Sequence, residues 1–301
     1  MNCTRKHAVV TGASTGIGRA TALRLTQHGF HVFATVRRAA DGADLHAQAP
    51  DTLTPLIMDT TITDQIAEAA HAVHEHVGEQ GLHVLVNNAG VPLFQSLEFL
   101  APERLLHHMD VNVAGPLRVS QAFLPLLRTG AGRIIMIGST SSWFVSPFGG
   151  SHSATKSALA ALTEALRLEL AAWNIDVVLI EPGAVHSSAF DKVATDRETA
   201  IAEMGAAGQE LYGDAYRTTI DKMLDMGERG TDPDVIAEVV LRAASSSRPK
   251  RRYLAGSDAR QLVWVTKLPL AILDSIQRGM FGMPKPGTGA VPTTSEAAGA
   301  K

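Results

Sequence analysis

Between His7 and Ala255, short apolar runs alternate with longer helical patterns, and this alternation restricts the fold more than any other feature. The runs are His7–Thr11, His31–Val36, Leu53–Met58, His83–Val86, Arg133–Ile137, Asp176–Ile180 and Arg252–Ala255. Near-continuous apolar runs of this length read as strands buried on both faces. Helical patterns lie between them at Ile17–His28, Thr63–Val77, Pro102–Val113, Leu117–Leu127, Ala154–Ala172 and about Pro233–Ala244. Gly29 closes the first helix, as a glycine just past a helix end does. Such an order calls for an α/β fold in which helices cover both faces of a parallel sheet.

The chain has 301 residues and no internal repeat, which suits one large domain. Hydrophobic residues make up 45% and charged residues 19%, enough apolar material for a full core. A net charge of -3 argues against a general nucleic-acid binder. The single cysteine, Cys3, allows no intrachain disulfide and suits a reducing compartment. No secretory signal is visible. The richest apolar stretch, Leu262–Ile276, is broken by Lys267, Pro269 and Asp274, so no transmembrane segment is expected. Together these features lead to the expectation of a cytoplasmic protein. The domain is expected over residues 1–256. Within it, 187–230 lies between a strand and a helix, where insertions often form a substrate lid. An amphipathic extension at 257–286 and a disordered tail at 287–301 complete the expected organisation.

After the first run comes Thr11-Gly12-Ala13-Ser14-Thr15-Gly16-Ile17-Gly18. Glycines let a backbone turn tightly and approach a ligand closely. The N-terminus of the following helix offers unpaired N–H groups and a positive dipole end to a pyrophosphate. The spacing is G-x-x-x-G-x-G rather than the common G-x-G-x-x-G fingerprint.

This loop resembles the T-G-x-x-x-G-x-G segment of the short-chain dehydrogenase/reductase family, and other marks of that family follow in order. Asn87-Asn88-Ala89-Gly90 is similar to its N-N-A-G segment, and Asn112 to its helix-kink asparagine. Ser139 ends the fifth run, Lys156 matches the lysine of Y-x-x-x-K, Pro182-Gly183 follows the sixth run, and Ser187 stands where threonine is common. The C-terminal stretch resembles that of retinol and hydroxysteroid dehydrogenases. The resemblance covers roughly residues 6–256. It implies a Rossmann-like, doubly wound parallel sheet with a dinucleotide over the strands' C-terminal ends. It further implies that Gly12, Ser14, Thr15, Gly16, Ile17, Gly18, Ala89, Gly90, Lys156, Pro182 and Gly183 bind the cofactor. Asn88 would flank its adenosine half, and Ser187 its carboxamide.

The second run ends Thr35-Val36-Arg37-Arg38. By alignment Val36 occupies the acidic position that binds the ribose hydroxyls of NAD, so no carboxylate repels a 2′-phosphate. Arg37 can clamp that phosphate through charge-assisted hydrogen bonds, and NADP(H) is therefore favoured over NAD(H). Asp59 resembles the family's adenine-contacting aspartate; otherwise it caps the next helix.

In the family a serine holds the substrate oxygen, a tyrosine moves the proton, a lysine tunes the tyrosine and binds ribose, and an asparagine holds a relay water. Ser139, Lys156 and Asn112 occupy these positions here, but the tyrosine position is His152, four residues before Lys156 on the same helix face. Two readings follow. Histidine is the commonest proton-transfer side chain and can take the role, although Lys156 disfavours imidazolium. Alternatively, proton transfer is impaired, leaving an NADP-binding protein with little turnover, acting as a sensor or scaffold. An isomerase or lyase on the same site is a third class.

Several other features carry no site of their own. His71, His74 and His76 read as a solvated helix face, since no metal-ligand set completes them. Ser139–Ser142 lacks the G-x-S-x-G elbow of a hydrolase. Tyr212 and Tyr216 read as pocket walls or surface residues. The expected substrate walls are Val91–Leu97, Ser141–Phe148, Ala184–Phe190 and the lid, including Phe94, Trp143, Phe144, Val145, Phe148 and Phe190. They suggest a small apolar alcohol or carbonyl. A second apolar face on Ala154–Ala172 suggests a homodimer or homotetramer.

Overall fold

The computed structural model describes residues 5–289. The expected tail therefore lies outside the described residues from 290 onward, as does Cys3. In chain order the elements are β1 (Lys6–Val10), α1 (Gly16–Gln27), β2 (Phe30–Val36), α2 (Ala39–Gln48), β3 (Leu53–Ile57), α3 (Thr63–Val77), β4 (Val84–Asn87), α4 (Pro102–Met109) and α5 (Gly115–Thr129). There follow β5 (Arg133–Ile137), α6 (Gly150–Glu169), β6 (Asp176–Pro182), α7 (Ser188–Glu203), α8 (Gly205–Glu228), α9 (Pro233–Ser245), β7 (Arg252–Ala255), α10 (Ala259–Val265) and α11 (Leu270–Phe281).

The seven strands form one sheet in the order β3-β2-β1-β4-β5-β6-β7, every pair parallel. Because side chains alternate across a strand, each run supplies both layers. Ala8, Val10, Val32, Ala34, Val84, Val86, Ile135 and Ile137 pack with Ala22 and Leu25 of α1, Leu45 of α2 and Ile236 and Val240 of α9. Val9, Phe33, Leu85, Ile134 and Met136 pack on the other side with Ile66 and Val73 of α3, Phe123 and Leu127 of α5 and Leu159 of α6. The doubly wound order reverses between β1 and β4, which opens a crevice above their C-terminal ends.

Four elements depart from the sequence expectation. α2 was not foreseen: its sequence AADGADLHAQ buries only Gly42 and Leu45, too little for a periodic signal. A Cβ on Gly42 would lie 2.8 Å from Pro55 Cβ, so the residue that weakens the helix is also what lets it seat on β3. The helix expected over 102–113 ends at Met109 and passes through a π-helical turn, Asp110–Ala114. α6 begins at Gly150, which places His152 in its first turn.

The 187–230 segment, expected as a substrate lid, is almost entirely α7 and α8. These helices share a third apolar cluster with the turn after β5 and with α11, comprising among others Phe144, Phe148, Ile201, Met204, Tyr216, Ile220 and Phe281. The C-terminal extension thus packs on its own domain, while Trp264, Leu270 and Ile272 remain exposed. No helix among the described residues is long and apolar enough to cross a membrane.

Candidate active site

A cavity of about 930 Å³ opens over the C-terminal ends of β1, β2 and β4. Its floor is the glycine loop, with Gly12, Ser14, Thr15, Gly16 and Ile17 all on its lining. Gly12 and Gly16 have φ of +63° and +52°, a backbone conformation that favours glycine. A Cβ on Gly12 would sit 2.9 Å from Ala89 Cα, so the loop and the 87–90 segment touch backbone to backbone. Thr11 Oγ1 accepts the amide hydrogens of Asn88 and Ala89 at 2.9 and 3.0 Å. Asn88 Nδ2 donates back to the carbonyls of Thr11 and Gly12 at 3.0 and 3.1 Å. Gly18 belongs to the same contact, since a Cβ there would lie 2.4 Å from Asn88 Nδ2. No side chain caps α1, so its first N–H groups stay available to an anion.

The far wall is formed by Arg37, Asp59, Thr60 and Thr61. Val36 is buried, so the position expected to carry an acid is apolar and shielded. The two arginines differ: Arg38 holds Asp41 with two bonds of 3.0 and 2.8 Å, while Arg37 lines the cavity without a carboxylate partner among the described residues. Asp59 accepts from the backbone N–H and hydroxyl of Thr61 at 2.9 and 2.7 Å. Burial pushes its carboxyl up, but these bonds, Arg37 and His107 outweigh that and hold it below the usual range. The N-cap position of α3 is Ile62, so Asp59 braces the turn before the helix instead of capping it.

Ser139, Asn112, His152 and Lys156 are off this lining; Asn112 and Lys156 adjoin its Gly90, and His152 adjoins its His108 and Phe94. A Cβ on Gly90 would lie 3.2 Å from Asn112 Oδ1 and 3.8 Å from Lys156 Nζ, which brings asparagine and lysine to the same side of one glycine. Lys156 Nζ donates to Ile137 O at 3.0 Å, and burial lowers its pKa to about 8. The Asn112 side chain is fully engaged: Oδ1 accepts from Val91 N at 2.9 Å, and Nδ2 reaches Val91 O at 2.9 Å and Thr155 Oγ1 at 3.2 Å. The π-helical turn around it breaks the regular i→i−4 ladder, a feature frequent at functional sites.

His152 stacks on His108, with ring centroids 5.9 Å apart and planes 19° apart, and Phe94 lies 5.7 Å away on another side. Its Nδ1 is buried without a partner. Burial first, then Lys156 and His108, push its pKa down to about 3. The repulsion expected from Lys156 is therefore present, but burial is the larger cause. His152 is a neutral imidazole at any ordinary pH.

Other expected residues are placed differently. Ser187 lines the cavity and lies against Gly16, where a Cβ would be 3.4 Å from its own. Pro182 and Gly183 sit outside the lining, and Gly183 is the seat of Asp258, whose Oδ1 would be 1.9 Å from a Cβ there. Of the expected aromatic walls only Phe94 faces the cavity. Phe144 and Phe148 are used in the third apolar cluster, and Phe190 packs on Gly227. Trp143 donates to Glu181 at 2.8 Å. In their place the lining carries Glu103, Arg104, His107 and His108 from α4 and Lys192, Asp196 and Glu203 from α7. This charged rim was missed. Positions 104, 107, 108 and 111 share one helical face, a spacing that would have flagged it. Tyr216 lines the cavity, with its hydroxyl committed to Phe94 O at 3.0 Å and its pKa raised to about 12 by burial. Tyr212 bonds Glu98 at 2.6 Å.

Residues 6–198 match the family model described as short chain dehydrogenase. An NADPH-dependent 3-dehydrocapnine reductase of Ornithobacterium rhinotracheale is 32% identical, covering 83% of this chain and 87% of its own length. Human retinol dehydrogenase 5 is 32% identical over 92% of this chain and 88% of its own. Among solved structures, a short-chain dehydrogenase from Streptomyces avermitilis superposes with a TM-score of 0.71 at 28% identity, covering 92% of this chain and 95% of that one.

Proposed function

We propose that this chain, which belongs to the short-chain dehydrogenase family of oxidoreductases, uses NADP(H) to interconvert an alcohol and its ketone or aldehyde. The observation that carries the cofactor assignment is Arg37, without a carboxylate partner among the described residues, on the cavity wall beside the buried, uncharged Val36. An NADPH-dependent relative points the same way. The glycine loop and the open end of α1 would hold the pyrophosphate, Arg37 the 2′-phosphate, Asp59 the adenine and Lys156 the nicotinamide ribose.

When bound, the cofactor supplies or accepts the hydride. The protein must then hold the substrate oxygen and settle its proton. Ser139 holds the oxygen. His152, neutral, assists as a hydrogen-bond donor, as a neutral histidine with a depressed pKa can polarise a carbonyl. Lys156, with its pKa near 8, is the group near His152 that changes protonation close to neutrality, and it supplies the proton for reduction. α7 and α8 act as the lid, and its closure excludes water. The substrate's reacting end is apolar, as Phe94 and Val91 require, and the charged rim of α4 and α7 meets a polar far end. A homo-oligomer joined through α6 is consistent with exposed Leu168 and Trp173.

The low pKa of His152 also favours a second reading, an NADP-binding protein with little turnover. The test is NADPH oxidation with all-trans-retinal and a long-chain aliphatic ketone, comparing this chain with His152→Tyr. Turnover by the parent chain supports the enzyme. Turnover by the tyrosine variant alone, with equal NADPH binding by both, supports the second reading. Product without cofactor consumption indicates an isomerase or lyase.

A further inference from the structure

One buried charge near the site has no part in the chemistry above. Glu181, the sixth residue of β6, is 1% exposed. Its carboxylate accepts from Ser142 Oγ at 2.8 Å, from Trp143 Nε1 at 2.8 Å, and from Arg252 Nη2 and Nε at 2.6 and 3.1 Å. Arg252 Cζ lies over the Trp143 ring, 4.6 Å from its centroid, so the guanidinium belongs to the same cluster. Breaking a buried pair leaves an uncompensated charge, so this arrangement fixes its donors firmly.

Two of those donors belong to the turn that begins at Ser139. Gly138 follows β5, and its N–H bonds Ile180 O at 2.7 Å. A Cβ on Gly138 would stand 2.9 Å from Leu179 Cδ1 and 3.4 Å from Glu181 Cγ, so the glycine makes room for Leu179 and packs in ordinary contact with the acid. The chain then enters a 3₁₀ turn, Thr140–Ser142, in which Ser139 Oγ accepts from Ser141 N at 3.1 Å. Ser142 Oγ lies 2.9 Å from Ser139 O and 2.8 Å from Glu181 Oε1, and its single proton is shared between the serine's own carbonyl and the carboxylate. Trp143 N closes the turn on Thr140 O at 2.9 Å.

We propose that Glu181, clamped by Arg252, is a positioning residue: it holds the 139–143 turn against β6 and β7 and so sets the direction of the Ser139 hydroxyl. The inference rests on the reading of Ser139 as the residue that holds the substrate oxygen. A displacement of about 1 Å at a reacting group can cost up to about 10²-fold in rate. Glu181→Gln keeps the shape but turns an N–H donor toward Arg252. Arg252 is part-exposed and can recover water, so the fold is expected to survive.

The test is a double-mutant cycle of Glu181→Gln with Ser139→Ala, read by NADPH oxidation with the two probe carbonyls and by hydrogen exchange of the full chain. Glu181→Gln is expected to lower kcat by about tenfold or more with NADPH affinity unchanged, and to lower it less than about twofold on the Ser139→Ala background. Exchange at the 139–143 amides should rise while α1 stays protected. Equal losses on both backgrounds, or an unchanged kcat and an unchanged exchange rate, overturn the proposal. Full activity of Ser139→Ala sinks the oxygen-holding reading itself. A slow Ser139→Ala beside a fast Glu181→Gln sinks only the positioning. Should Glu181→Gln not fold, Trp143→Phe removes one donor and leaves the ion pair, and it must show the same pattern at smaller size. Exchange needs no substrate, so the positional half stands or falls without turnover.

Discussion

Two groups of histidines sit at opposite ends of the same parallel sheet. At the foot, His7 of β1, His31 of β2, His83 just before β4 and His76 of α3 gather, with centroid distances of 5.8 Å for His7–His76 and His7–His83 and 4.5 Å for His31–His76. At the top, His152 stacks on His108. Burial is the first cause of depressed basicity in both places, taking His31 to about 4 and His152 to about 3. The neighbours separate them. The foot faces Thr54, Phe33, Arg5 and Lys6, and it lies away from the cavity. The top pair stands among Lys156, Asn112 and the cavity wall. A shifted pKa thus marks a buried imidazole, and only its surroundings make it chemical.

The comparison breaks first at the top. His152→Ala should lower kcat for NADPH oxidation by about 10²-fold or more, within the range for losing a hydrogen-bond donor to a developing oxyanion, while NADPH affinity holds. His31→Leu should leave kcat within about twofold. Loss of turnover in the foot variant, measured in the same assay, would erase the distinction.

The foot should report in stability instead. His31 has a folded pKa below its unfolded value, so its contribution is complete above about pH 6.5 and is lost as pH falls toward 4. In that window the unfolded chain takes up protons that the folded cluster refuses. Urea unfolding across the window should lose on the order of 2–3 kcal/mol, and His31→Leu should flatten the dependence. An equally steep loss in the variant would place the acid sensitivity elsewhere.

Arg37→Ala sharpens the claim that the top end holds the cofactor. It should weaken NADPH by about tenfold, as loss of a charge-assisted hydrogen bond does, and leave NADH nearly unchanged, measured by fluorescence titration. The smallest effect is expected for Tyr216→Phe. Its hydroxyl serves Phe94 O, so kcat should move by less than about threefold.

Much of this arrangement was readable in the chain. The seven apolar runs placed every strand, because strands buried on both faces need no alternation to be recognised. The glycine loop and Asn88 were expected at the cavity and line it, while Asn112, Ser139, His152 and Lys156 are off that lining and form the proposed site. What escaped depends on contacts distant in sequence. His7, His31, His76 and His83 meet only because parallel strands align their starts. Glu181 looks like any strand-end acid until Arg252 and the Ser139 turn fold onto it. Phe144 and Phe148 were expected at the substrate and are used to seat α7, α8 and α11, a choice of partner that composition does not carry.

The most direct measurement is the rate of NADPH oxidation by the parent chain from about pH 5 to 9 with saturating probe carbonyl. With neutral His152 and titrating Lys156, kcat should stay level through the acid half and fall as pH rises past about 8. A rate that climbs about tenfold per pH unit toward acid would make imidazolium the proton donor and contradict the account.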